Sequence, residues 1–170
     1  MVAPASKAAA FKALHERAGA FIIPNPWDAG TAKLLASLGF EALATTSAGL
    51  AFSLGRSDGE GAINRDETLA NARTIVEATT LPVSADLENG FAHEPEACAD
   101  VIQQAARIGL AGGSIEDATG RLDDPIYPFD LAVERVKAAV RAARALPERF
   151  VLTTRAENLI CGRPDLKGRV

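Results

Sequence analysis

Short apolar runs alternate with amphipathic stretches along this chain. The amphipathic stretches place apolar residues at helical spacing. The runs are apolar on both faces, as expected for strands buried between helices. They occupy residues 21–24, 41–46, 81–86, 110–116 and 150–154. This alternation predicts parallel βα units in which helices cover the sheet.

One helix is predicted by both its apolar face and its cap. Leu69, Ala72 and Val76 recur at helical spacing. Asn64 stands just before this stretch and is a residue type that caps helices. Glu67 follows three residues later, which is the spacing of a capping box. We therefore expect a helix that begins directly after Asn64.

The 170 residues show no linker, low-complexity tract or change of composition, which indicates a single domain over residues 1–170. Five strands fit two architectures. One is a doubly wound sheet, and the other is the first five units of an eight-fold βα barrel. A complete barrel typically needs about 250 residues. A barrel formed by this chain would therefore be incomplete.

Composition excludes several classes of function. The net charge is −4, and Lys and Arg alternate with acids rather than clustering, so we expect neither nucleic-acid nor membrane partners. No apolar run approaches the roughly 20 residues that span a bilayer, and the N-terminus lacks the apolar centre of a signal peptide. Cys98 and Cys161 have no metal-ligand spacing and suggest no disulfide framework. We expect a cytoplasmic protein.

Acidic residues follow the predicted strands. Ligands of parallel α/β proteins bind at the carboxyl ends of the strands, so these residues are candidates for a site. The polar or aromatic residues at or after successive strand ends are Trp27, the segment 45–49 with the loop to Asp58, Asp86 with Glu88, Glu116, and Arg155.

Several carboxylates in one cleft repel each other unless a cation neutralises them. Asp86 and Glu88 lie two residues apart on one strand face, roughly 6.5–7 Å from each other. This spacing suits one direct ligand and further carboxylates acting through water, as Mg²⁺ prefers. Zinc is disfavoured because suitable His and Cys ligands are missing. The alternative is structural: Asp86 would cap a helix, and Asn89-Gly90 would form an ordinary tight turn.

Five motifs in order resemble the isocitrate lyase/phosphoenolpyruvate mutase superfamily. They are "NPWDAGTAKLLASLGFEALATTSAG", the loop Asp58, "PVSADLENGF", "GGSIED" and "TTRAEN", and the resemblance extends from about Phe21 to Asp165. It implies a TIM-type (β/α)8 barrel, here truncated after the fifth unit, and a homo-oligomer. It also implies a small carboxylate substrate, a 2-oxo or 2-hydroxy acid, and Mg²⁺, with Mn²⁺ as a substitute.

The resemblance also assigns roles to residues. Asp86 would bind the metal directly, and Glu88 and Glu116 would hold metal-bound waters. Asp58 would lie near the reacting centre, and Arg155 would bind substrate and stabilise the enolate oxyanion. The remaining substrate-binding residues would be the backbone N–H groups of Thr46, Ser47 and Ala48 together with Trp27, for which packing is the commoner role.

Two departures limit this assignment. The loop "DATGRLDDPIYPFD" has neither the Cys nor the Lys of the K-[KR]-C-G-H loop in isocitrate-cleaving members, so isocitrate cleavage is not expected. The chain also stops where family members continue for about a hundred residues, as implied by the resemblance. The expected function is Mg²⁺-dependent cleavage of a C–C or C–P bond through a pyruvate-like enolate. The alternative is an inactive remnant that binds a small carboxylate or only oligomerises.

Overall fold

The computed structural model describes residues 5–59 and 61–164. Strands alternate with helices, as the apolar pattern predicts. Within the described residues the strands are β1 (Leu43–Ala44), β2 (Val83–Asp86), β3 (Gly112–Glu116) and β4 (Val151–Arg155). The helices of this part of the chain are α1 (Lys7–Glu16), α2 (Ala29–Ser37), α3 (Ser47–Ser53), α4 (Arg65–Ala78), α5 (Pro95–Arg107) and α6 (Phe129–Ala145).

The strands lie side by side in chain order, β1-β2-β3-β4, and each neighbouring pair is parallel. A doubly wound sheet instead reverses its strand order at a switch point. The observed order is that of a βα barrel, and the described residues form an arc of one. The predicted α/β fold, an incomplete barrel, is thereby confirmed.

The segment 21–24 differs from the prediction because it is not a strand. A backbone hydrogen bond from the N–H of Ala44 to the carbonyl of Pro24 (3.1 Å) joins it to β1. Pro24 and Pro26 have no N–H to donate, so a regular ladder cannot continue through them. The sheet of the described residues therefore has four strands instead of the five expected.

The helix after Asn64 begins as predicted. The Asn64 side chain accepts the N–H of Glu67 (3.0 Å), and the Glu67 carboxylate accepts the N–H of Asn64 (3.0 Å), which completes a capping box. Asp28 and Thr31 form the same arrangement at the start of α2. None of the described helices has the length and hydropathy that a membrane crossing requires.

The main core lies between the sheet and helices α4, α5 and α6. It contains apolar side chains of the strands and of the helix faces turned toward them. Among its fully buried members are Leu43, Val83, Ile75, Ile102 and Ala139. Burial of the apolar surface in this core fixes the position of each strand end relative to its neighbour. The residues at the carboxyl ends of the strands are thereby held in place.

The amino end of β3 is held by close packing against α1. An added Cβ at Gly112 would lie 2.6 Å from the carbonyl oxygen of Val151 and 2.7 Å from the ring of Phe11. Phe11 is itself 2% exposed and packs with Ala111 and Val151. Only glycine fits at position 112, because backbone of the neighbouring strand stands in the way.

We expect Gly112→Ala to destabilise the protein by about 1–3 kcal/mol, because the methyl group overpacks a site bounded by backbone. The matched control is Gly30→Ala, in the exposed first turn of α2. That change should be neutral or should stabilise by up to about 1 kcal/mol, since alanine favours helix. Urea denaturation of both variants checks this, and equal effects of the two substitutions would contradict the packing argument.

Candidate functional site

The predicted acidic residues meet at the carboxyl ends of the strands. Asp86 ends β2, Glu116 ends β3 and Arg155 ends β4. The register pairs Glu116 with Arg155 directly and places Asp86 beside Ser114. Three residues separated by up to 69 positions in the chain are therefore neighbours at one edge of the sheet.

Arg155 lies among the carboxylates. Its Nη1 is 3.5 Å from Asp86 Oδ1, and its Nη2 donates a hydrogen bond to Glu116 Oε2. Its Nε is 3.1 Å from Glu157 Oε1 but lacks the geometry of a hydrogen bond, so that contact is electrostatic only. The guanidinium offsets the negative charge that the strand ends bring together.

The Asp86 carboxylate is held by groups from two neighbouring segments. Ser47 Oγ donates to Asp86 Oδ2 (3.0 Å), and the N–H of Glu88 donates to Asp86 Oδ1 (3.2 Å). The backbone N–H of Asp86 donates to Thr45 Oγ1 (3.0 Å). The side chain is only 13% exposed. These contacts fix the carboxylate in one orientation, with an edge toward Arg155.

Glu88 is partly buried at the start of the turn after β2. The pKa of its carboxyl is raised to about 7, chiefly by burial and in addition by the carboxylates of Asp86 and Asp58, while Arg155 lowers it. Asp58, an exposed loop residue, is therefore near enough to act on Glu88 electrostatically. Neighbouring negative charge adds to burial in favouring the neutral carboxyl.

The predicted substrate residues lie around the same edge. Thr46 caps α3 by accepting the N–H of Gly49 (3.1 Å), and Ser47 and Ala48 begin that helix. The N–H of Ser47 approaches Asp86 Oδ2 at 3.5 Å. Trp27 is 45% exposed, and its carbonyl accepts the Asn71 side-chain amide (2.8 Å). Their roles in binding stay predictions.

A cavity of about 1030 Å³ opens beside Glu88 and Glu116. Its wall also includes Asn64 at the start of α4, His93 after β2 and Arg121 after β3. Glu88 and Glu116 therefore face a space large enough for a small organic acid, whereas Asp86 and Arg155 lie outside its wall.

The donor set fits a hard divalent cation. Within residues 5–59 and 61–164, no three Asp, Glu, His or Cys side chains are gathered around a common point. Carboxylate oxygens are the ligands that Mg²⁺ prefers, and Mg²⁺ keeps several waters beside one or two of them. Three carboxylates contact the single guanidinium of Arg155, and such a cation would offset their remaining charge. Asp86, Glu88 and Glu116 can supply the oxygen ligands.

Two residues at the strand ends take part in the site although the sequence assigned no role to them. Glu157 contacts Arg155, and its N–H donates to the buried carboxylate of Asp117 (2.8 Å). Thr45 supports Asp86 through its hydroxyl. The two-residue spacing of Arg155 and Glu157 repeats that of Asp86 and Glu88 and could have indicated the first role. Nothing in the local sequence indicates that the Thr45 hydroxyl would accept the N–H of Asp86.

A family model described as phosphoenolpyruvate phosphomutase matches residues 11–169. The chain belongs to the phosphoenolpyruvate mutase/isocitrate lyase superfamily. This confirms the family that the five motifs predicted.

Solved and curated relatives agree with this assignment. A Burkholderia cenocepacia structure, described only as a lyase/mutase, is 62% identical with a TM-score of 0.90, and the match covers 94% of this chain and 56% of the Burkholderia chain. An oxaloacetate acetylhydrolase solved with its product oxalate is 28% identical with a TM-score of 0.82, and the match covers 91% of this chain and 55% of the hydrolase chain. The 2-methylisocitrate lyase of Escherichia coli is 29% identical, and the match covers 88% of this chain and 52% of the lyase. The chain thus spans about half the length of the curated relatives it matches.

Glu88 gives this superfamily member a pH-dependent stability that can be measured. A carboxyl with a raised folded-state pKa stabilises the fold below its unfolded pKa, near 4.3, and this stability is lost as the pH rises through about 7. In metal-free protein, Glu88→Gln should therefore stabilise by about 1–2 kcal/mol more at pH 8 than at pH 5, after discounting for solvent screening. Denaturant unfolding at both pH values checks this. Equal effects at the two pH values would contradict the charge argument.

Proposed function

We propose that this chain catalyses Mg²⁺-dependent cleavage or formation of a bond beside a pyruvate-like enolate in a small 2-oxo or 2-hydroxy acid. The observation that carries the proposal is the convergence of Asp86, Glu88, Glu116 and Arg155 at the carboxyl edge of a barrel arc. Relatives named 2-methylisocitrate lyase and oxaloacetate acetylhydrolase support a lyase or hydrolase acting on such acids.

Asp86 would hold the metal directly, and Glu88 and Glu116 would hold it through water. When bound, Mg²⁺ would supply a Lewis acid for the 2-oxo group of the substrate. Ser47 and the N–H of Glu88 orient the Asp86 carboxylate, so the ligand needs no rearrangement before it binds.

The chain's own groups would bind and orient the substrate. The backbone N–H groups of Thr46, Ser47 and Ala48 would donate to the substrate carboxylate, with Trp27 forming a wall. Arg155 reaches two strand ends through Nη1 and Nη2, and its guanidinium would stabilise negative charge that develops on the enolate oxygen.

Proton transfer would fall to a carboxyl near the reacting centre. Asp58 is our candidate, because it lies on an exposed loop near enough to Glu88 to raise the pKa of that carboxyl. The loop 117–127 holds neither Cys nor Lys. The acid used by isocitrate-cleaving relatives, which the resemblance places in that loop, is therefore absent here, and a different substrate is expected.

Oxalate resembles the pyruvate enolate and tests the proposed site. We expect oxalate to bind only with Mg²⁺, and Asp86→Asn to weaken Mg²⁺-dependent binding at least tenfold, because it removes the direct charged ligand. Glu77→Gln, on the exposed face of α4, removes one charge elsewhere and should leave binding unchanged. Titration calorimetry measures both. Oxalate binding without Mg²⁺, or undiminished in Asp86→Asn, would overturn the site assignment.

Turnover distinguishes an enzyme from a binding remnant. Pyruvate or oxalate release from oxaloacetate, phosphonopyruvate and substituted malates would be followed with the same variants. Release that is lost in Asp86→Asn supports catalysis. Mg²⁺-dependent oxalate binding without release from any of these acids supports the remnant.

We further infer that the chain self-associates. In the described residues the outer edge of β4 is unpaired, and Leu159 and Ile160 beyond it are 64% and 84% exposed. Unpaired edges and exposed apolar side chains favour association. Light scattering after gel filtration should give a mass above the 17.8 kDa of one chain. A single species at the monomer mass would contradict this inference.

A further inference from the structure

A buried cation lies on α6, away from the acidic edge. Arg135 is only 1% exposed. Its Nη1 donates to the carbonyls of Ala92 (2.7 Å) and His93 (2.5 Å), its Nη2 donates to the carbonyl of Asn89, and its guanidinium lies 4.1 Å from the ring centroid of Tyr127. Across the part of the chain that the structure describes, no carboxylate lies within ion-pair distance of it. A buried charge held by carbonyl groups and an aromatic ring, without a carboxylate, calls for an explanation.

All three carbonyl acceptors belong to one short segment, residues 89–93, which follows Glu88. The backbone there is unusual, because φ is positive at Glu88 (46°), Gly90 (77°) and Phe91 (65°). Residues with a Cβ adopt this conformation rarely, and it persists only where surrounding contacts enforce it. The convergence of three carbonyls on one guanidinium is such a contact.

The turn connects Arg135 to the acids. The N–H of Glu88 donates to Asp86 Oδ1 (3.2 Å), and its carbonyl accepts the N–H of Glu116 (2.9 Å). Asn89, whose carbonyl Arg135 holds, is the next residue. The backbone course of Glu88 is therefore set from one side by the strands and from the other by Arg135.

The loop after β3 is tied to the same segment. The Tyr127 hydroxyl is 2.7 Å from His93 Nδ1, and the Asn89 amide donates to the carbonyl of Thr119 (3.1 Å). Arg135 packs over the Tyr127 ring. It therefore stands between the two loops that border the cavity beside Glu88 and Glu116.

We propose that Arg135 is a positioning residue, which holds the turn 88–91, with its positive φ at Glu88, Gly90 and Phe91, and thereby directs Glu88 toward the site. It touches neither substrate nor metal and acts through the Asn89 carbonyl. The role in metal binding rests on the proposed function, whereas the role in shaping the turn does not.

Two substitutions separate the parts of this role. Arg135→Met keeps most of the side-chain length and removes the charge and all donors. Arg135→Lys keeps the charge on a single point, which cannot reach three carbonyls in the planar geometry of a guanidinium. Gly112→Ala is the control, because it destabilises the opposite end of β3 without touching the turn.

The first readout is Mg²⁺-dependent oxalate affinity, measured at a temperature where every variant is folded. We expect a loss of tenfold or more in Arg135→Met, as for other residues that support metal ligands indirectly. The oxalate affinity of Arg135→Lys should lie between that of Arg135→Met and that of the unaltered chain. The affinity of Gly112→Ala should stay within twofold of the unaltered chain. If the unaltered chain binds oxalate with Mg²⁺ and Arg135→Met binds it with the same affinity, the proposed role of Arg135 in the metal site is overturned.

The second readout is amide hydrogen exchange in metal-free protein. The N–H groups of Gly90, Phe91 and Glu116 report the turn, since they donate to Leu87 O, Asn89 Oδ1 and Glu88 O. In both Arg135 variants these amides should exchange at least tenfold faster relative to Ile102, within α5. A uniform change at all amides would show a merely structural role and overturn the proposal.

The two readouts also separate this proposal from the proposed function. If the unaltered chain shows no Mg²⁺-dependent oxalate binding, the proposed function fails, and the exchange data alone decide whether Arg135 shapes the turn. If Arg135→Met does not fold, Arg135→Lys still supplies both measurements.

Discussion

Like-charge repulsion at the carboxyl edge of the sheet is the constraint on which the rest of the site depends. Parallel strands in sequential order bring Asp86 and Glu116 to the same edge, because each residue ends its strand: Asp86 lies beside Ser114, two residues before Glu116, and Glu116 lies beside Arg155. Arg155 offsets part of that charge from β4. The carboxylates of Asp86 and Asp58 add to burial in raising the pKa of Glu88. Repulsion among these carboxylates lowers the stability of the fold, and a bound cation would offset that loss.

Much of the fold was predictable because local rules agree with the global arrangement. The capping box at Asn64 and Glu67, Pro95 at the start of α5 and the apolar strands all follow short-range chemistry. The prediction of a strand over 21–24 was wrong for an equally local reason. The prolines at 24 and 26 have no N–H group to donate, and a pattern of apolar residues does not show this. The choice between a barrel and a doubly wound sheet required the strand order, which is a tertiary property.

The site was predictable where it uses strand ends and obscure where it uses helices. Position at or after the end of an apolar run makes four site residues predictable: Asp86, Glu88, Glu116 and Arg155. Arg135 does not, because an arginine between Glu134 and Lys137 has the pattern of a solvated helix face. Only the packing of α6 against the turn after β2 reveals that its guanidinium is buried. Tertiary contacts decide such cases, and periodicity alone cannot supply them.

The packing of α1 has a consequence for how the chain assembles. Phe11 lies against Gly112 and Val151, and Lys7 Nζ donates to the carbonyls of Val76 (2.9 Å) and Thr79 (2.7 Å) at the end of α4. These partners are 69 to 140 positions away in sequence. On the ribosome, α1 therefore has no complete native surface to pack on until β4 has emerged. Until then the apolar face of α1 is available to chaperones, because α1 is synthesised before the partners on which it packs.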